Sequence, residues 1–157
     1  MPLVTKRDDV LALYQDATSR SWVIPAFGVE NLTTIEAVLA ATKDYGERIG
    51  RSDLPIALSI TNLYSARAQS VNYTHTREWE VGLNLFLADV GVLTAPGSAF
   101  ARLNVMIHLD HIMRDADAAL LSRDMAPFSS IMFDASPLPF EENVEATLRF
   151  VEQRRDE

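Results

Sequence analysis

The stretch Leu103-Asn-Val-Met-Ile-His-Leu-Asp110, followed at once by His111, decides how the rest of the chain is read. It is a short apolar run that closes on polar, chemically competent side chains. A strand alternates its side chains with period two, so Val105, Ile107 and Leu109 share one face while Met106, His108 and Asp110 share the other. The first set is aliphatic and asks for a covering layer. The second turns polar toward its C-terminal end.

The same design recurs outward from this run. Upstream, Leu54–Ile60 puts Ile56, Leu58 and Ile60 on one face, with Ser59 and the adjoining Thr61 on the other. Downstream, Ser129–Asp134 sets Ile131 and Phe133 against Ser130, Met132 and Asp134. A fourth run, Trp22–Phe27, is apolar enough for a buried strand. Helical stretches separate these runs. Thr5–Asp16 opens the chain, and Asn31 caps a helix that carries Ile35, Val38 and Leu39 and ends near Gly46. The long stretch Tyr64–Phe100 contains a helix around Trp79–Leu87 and a turn at Pro96-Gly97. A helix is expected over Arg114–Arg123, and a last one from about Pro139 with Val144, Leu148 and Val151 on one face. Successive strand–helix units require right-handed crossovers and hence a parallel sheet. Polar groups on one face at the carboxyl ends of three strands lie where parallel barrels and open parallel sheets build their sites.

Composition narrows the functional classes. The 157 residues, 48% apolar and 23% charged, suit one folded domain with a real core. A net charge of -8, with Lys6 and Lys43 the only lysines, argues against nucleic acid as a partner. The lack of cysteine excludes disulfides, thiolate metal sites and a cysteine nucleophile, and it fits a cytoplasmic protein. The charged N-terminal segment does not read as a signal peptide, and no apolar run approaches the ~20 residues that span a bilayer.

Asp110 between two imidazoles at the end of an apolar strand would be costly to bury without partners. Spacing alone leaves two readings open: strand-end polar groups hydrogen-bonded to nearby loops, or a metal site. Neutral imidazole suits Zn²⁺, and a neighbouring carboxylate can serve as acid or base. A Schiff-base mechanism needs a desolvated lysine at a strand end, and neither lysine is so placed. The phosphate loop of nucleotide hydrolases, G-x-x-x-x-G-K-[ST], does not occur.

Three blocks carry a family resemblance. Asn104–His111 resembles the His-x-Asp-His signature of the class II fructose-bisphosphate and tagatose-bisphosphate aldolases. Trp22–Leu39 resembles that family's first strand and helix, and Phe128–Asn143 its fourth strand and the following helix start. The blocks stand in the family's order at compatible spacing, with Tyr64–Phe100 the weakest part of the match. The resemblance implies an α/β fold, a TIM-type (β/α) barrel of which residues 1–157 form the N-terminal half, with the first four βα units. It implies a metal-dependent lyase that reversibly cleaves a ketose bisphosphate, such as fructose 1,6-bisphosphate, into dihydroxyacetone phosphate and an aldehyde.

Residue roles follow from the same resemblance. Asp110 matches the catalytic aspartate that exchanges a proton with the C4 hydroxyl. His111 matches the first zinc-ligating histidine. The Zn²⁺, for which Co²⁺ or Mn²⁺ could substitute at a nitrogen-and-oxygen site, polarises the ketone and stabilises the enediolate. Asp134 falls near the metal as an orienting group, Thr61 near the substrate phosphate, and His108 reads as an orienting or structural residue. His75 is expected to face solvent.

The chain also departs from the family pattern. Ile112 stands where a glycine or small residue is usual and is expected either to narrow the space beside the metal or to change the loop. Gly28 replaces an asparagine and removes a hydrogen bond to substrate. The other two zinc histidines, the assisting glutamate and most phosphate-binding loops belong to the family's second half. A regular strand would also turn His111 away from the face of Asp110. A homo-oligomer or a second chain completing the barrel is therefore expected, or a longer polypeptide of which this is a piece. The alternative is a catalytically inactive half-barrel that acts as a binding or assembly module.

Overall fold

The computed structural model describes residues 3–155. Its sheet is built from four runs that pair side by side in chain order: β1 (Ala26–Gly28), β2 (Pro55–Thr61), β3 (Asn104–Met113) and β4 (Ser130–Asp134). All three pairings are parallel, as crossover connections through helices demand. The helices are α1 (Arg7–Ser19), α2 (Leu32–Arg48), α3 (Gln69–Asn72), α4 (Trp79–Leu93), α5 (Ala118–Leu121) and α6 (Phe140–Gln153). This is the half-barrel of four βα units that the sequence implies.

Register places the polar ends side by side. Gly28 pairs with Ser59, Ser59 with His108, and Thr61 with Asp110, while His108 also pairs with Ser130. The aliphatic parity set Ile56, Leu58, Ile60, Val105, Ile107 and Leu109 packs against Ile35 and Leu39 of α2 and Leu83, Phe86 and Val90 of α4. The opposite face carries a buried apolar plug at its lower end, where Ala57 and Met106 meet Val4 and Val10 beneath α1. Above that plug, Ser59, Thr61, His108 and Asp110 follow on the same face toward the carboxyl ends.

Local chemistry sets the helix limits. Asn31 accepts a hydrogen bond from the Thr34 amide at 3.0 Å, and Thr34 Oγ1 accepts one from the Asn31 amide at 3.0 Å, a reciprocal cap that starts α2. Gly82 lets α4 approach α3: a Cβ there would stand 1.8 Å from the Ser70 carbonyl oxygen.

Three elements differ from expectation. The first strand covers Ala26–Gly28 and is exposed, because it is an outer strand paired on one side only. Trp22 instead lies between the Arg20 and Arg51 guanidinium groups, 5.2 and 5.1 Å from its ring centroid. The helix expected over Arg114–Arg123 shrinks to α5, because Asp117 turns back on the end of β3, donating its amide to the Met113 carbonyl at 2.9 Å. In α6 the row Val144, Leu148 and Val151 does share a face, but it points outward. The helix meets the sheet through Phe150, stacked on Phe133 with ring centroids 4.4 Å apart.

Candidate active site

Two residues, Asp110 and His111, occupy the interval between Leu109 and Ile112 where the β3–β4 register slips. Leu109 pairs with Ile131 and Ile112 with Phe133, so β3 carries one extra residue, a bulge. His111 adopts φ +48°, a left-handed conformation that side-chain-bearing residues take up at a cost. The bulge brings His111 to Asp134 on the inner side of β4. It also returns Ile112 to the helix-facing core, where it is fully buried. Of the two effects expected of Ile112, narrowing of the site does not occur, because the extra residue turns its side chain away.

The His111 ring is fixed on two sides. Its Nδ1 lies 2.9 Å from Asp134 Oδ2, and its face stacks on Tyr64 at a centroid distance of 4.4 Å and 10° between planes. A neutral ring that donates Nδ1–H to the carboxylate keeps the lone pair on Nε2, the atom left for a ligand. Asp134 is buried and also accepts from the Ser136 amide at 2.9 Å. Hydrogen bonding from Ser136 first, and then from His111, holds its carboxyl below the ordinary carboxylate range.

Asp110 is differently placed. Its carboxylate accepts no hydrogen bond from a described residue and is about a third exposed (32%), with His108 Nε2 at 3.8 Å. His108 is more deeply set, with Nδ1 2.8 Å from Ser130 Oγ. Burial pushes the His108 pKa down, and the nearby Asp110 charge only partly offsets this.

Thr61 is brought to the same carboxyl edge, but its hydroxyl is engaged within the chain. It donates to the Arg67 carbonyl and accepts from the Gln69 amide. His75 is exposed, as expected.

Other residues at this end gave no sequence signal. Asp117 is buried, and its carboxylate accepts from Asn62 Nδ2 at 2.8 Å, the Leu63 amide at 3.2 Å and the Met113 amide at 2.8 Å. It thereby ties the end of β3 to the loop that carries Tyr64. Neither residue belongs to a motif, and their role depends on how two distant loops meet.

Among the described residues no group of three His, Cys, Asp or Glu side chains is placed to hold a metal ion. A zinc site takes at least three protein ligands. The residues present offer a single oriented imidazole and so do not by themselves fit a zinc ion. No described helix is long and apolar enough to cross a membrane.

A parallel sheet covered by α2 and α4 on one face and closed by α1 at the lower end of the other, with ionisable groups gathered at the carboxyl ends of that second face, defines half of a (β/α) barrel of the kind that places its ligands at that end. The chain belongs to the class-II fructose-bisphosphate aldolase family, whose family model matches residues 8–156. It is 31% identical over 156 residues to a fructose-bisphosphate aldolase of Staphylococcus epidermidis, a match that covers 99% of this chain and 45% of the relative. A Staphylococcus aureus fructose-bisphosphate aldolase is 30% identical over 152 residues, covering 97% of this chain and 44% of the relative. The crystal structure of a fructose-bisphosphate aldolase from Campylobacter jejuni superimposes with a TM-score of 0.68 at 22% identity, covering 95% of this chain and 43% of that one. The chain thus spans somewhat under half the length of the relatives it matches.

Proposed function

We propose that residues 1–157 supply the N-terminal half of the active site of a cytoplasmic class II aldolase acting on a ketose bisphosphate of the fructose 1,6-bisphosphate type. The other half would come from a second chain, from another copy of this one, or from residues further along one polypeptide. The observation that carries this reading is the bulge. It sets an unbonded carboxylate, Asp110, next to an imidazole whose Nε2 is left open by the bond from His111 to Asp134.

In this reading Asp110 takes the proton from the hydroxyl beside the breaking carbon–carbon bond and returns it in the condensation direction. His108, its pKa held down by burial, borders the carboxylate. His111 would give one ligand to a divalent metal, Zn²⁺ or alternatively Co²⁺ or Mn²⁺, with Asp134 setting the ring. Such an ion supplies Lewis-acid polarisation of the ketone oxygen.

The test is Asp110→Ala in the completed enzyme. Cleavage should be abolished, while the stability of this chain moves by no more than about 0.5 kcal/mol, as for other substitutions that break no buried bond. Undiminished turnover would remove the acid/base role. A second reading, a non-catalytic module that works through assembly, draws on the outward apolar row of α6. Elemental analysis of the assembled protein separates the two, since stoichiometric zinc is expected of the enzyme and not of the module.

A further inference from the structure

Thr61 and Gln69 spend their polar groups on one short loop. The Thr61 hydroxyl donates to the Arg67 carbonyl and accepts from the Gln69 amide at 3.1 Å. The buried Gln69 side chain accepts from the Thr61 amide at 2.9 Å and donates to the Val29 carbonyl at 2.8 Å, tying the loop to β2 and to the residue that follows β1. The Arg67 amide itself donates to the Tyr64 carbonyl at 3.0 Å. The loop so braced lays the Arg67 guanidinium over the carboxyl end of β1. A Cβ on Gly28 would stand 2.9 Å from Arg67 Nη1, so the glycine makes the room.

A guanidinium has two edges that can each face an oxyanion. Glu30 Oε1 takes the edge formed by Nε and Nη2. No hydrogen bond from a described residue uses Nη1, and the side chain is half exposed (51%). Glu30 therefore orients Arg67 and leaves its Nη1–Nη2 edge available. β1 lies two strand spacings from β3, about 10 Å, so the group stands to one side of Asp110 and within reach of one arm of an extended phosphorylated sugar.

We infer that Arg67, placed by Gly28 and oriented by Glu30, holds a phosphate group of the substrate in this half of the barrel. The inference rests on the phosphorylated-ketose reading above and moves the phosphate contact from Thr61, whose hydroxyl is already bonded, to the arginine that Thr61 braces.

The test titrates the chain with inorganic phosphate and follows the Arg67 Nε resonance by NMR. The wild-type signal should move to saturation. Arg67→Gln should bind phosphate at least about tenfold more weakly, the scale of one charge-assisted contact. Gly28→Ala, whose methyl group displaces the guanidinium tip, should weaken binding as well while leaving the urea midpoint in place. An Arg67 signal that ignores phosphate, or an affinity unchanged in either variant, overturns the assignment. Phosphate binding needs no chemistry, so this result stands apart from the Asp110→Ala turnover assay that tests the reading beneath it.

Discussion

His111 Nδ1 and Asp134 Oδ2 meet at 2.9 Å across β3 and β4, at the step where the two strands lose register. A bulge alone would bring the imidazole to the inner side and leave it free to rotate. The Asp134 bond fixes that rotation, and the stack on Tyr64 fixes the plane. Three separate elements therefore set the direction of one nitrogen, Nε2. The left-handed backbone at His111 is held by bonds on both sides of it, which is how such strain persists in a folded chain.

Asp134→Ala should destabilise the chain by about 1–3 kcal/mol, because it leaves two donors, His111 Nδ1 and the Ser136 amide, without their acceptor. Urea unfolding at pH 7 gives the value. Asp134→Asn keeps an acceptor oxygen and should lose less. An alanine variant as stable as the parent would show that this bond does not hold the end of β3.

Asp117→Ala should be the more damaging change, at about 3 kcal/mol or more, since three donors lose a buried acceptor together. The Leu63 and Met113 amides should then exchange with solvent faster than those at the centre of β2. Unchanged protection at both amides would mean that the carboxylate does not tie the loop to the strand.

The parity of side chains up to Leu109 was legible because an aliphatic face must meet a helix layer, and Val105, Ile107 and Leu109 do. The parity beyond it was not. The slip after Leu109 depends on how β3 registers against β4, a pairing between residues some twenty positions apart that no local pattern encodes. A regular strand would turn His111 away from the face of Asp110, and the bulge overturns that parity while it takes Ile112 out of the site. Arg67, Tyr64 and Asp117 were silent for a related reason. They sit in loops, where composition does not say which backbone they will reach. Thr61 does stand at a strand end, as its sequence position implies, but its hydroxyl partner lies six residues on.

His108 gives a pH dependence with a definite sign. Burial holds its folded pKa below the value near 6.5 expected of the unfolded ring. As pH falls through 6.5, the unfolded chain takes up a proton that the folded chain resists. The stability is therefore complete above that pH and is lost toward the lower folded pKa. His108→Gln removes this linkage, so its urea midpoint should fall less than the parent's between pH 7 and pH 5. Equal losses in the two proteins would place the acid sensitivity on another group.

The outward row of α6 predicts association. Val144, Leu148 and Val151 are 51%, 55% and 51% exposed, beside an outer strand, β4, with an unpaired edge. Contiguous apolar surface of this kind next to an open strand edge favours contact with another surface. Replacing Leu148 and Val151 together by Glu should leave the unfolding free energy within about 0.5 kcal/mol per site, because neither side chain is buried in the folded chain. The same change should lower the concentration-dependent mass seen by sedimentation. If parent and variant sediment identically as monomers across the range, the row needs no cover and does not drive association.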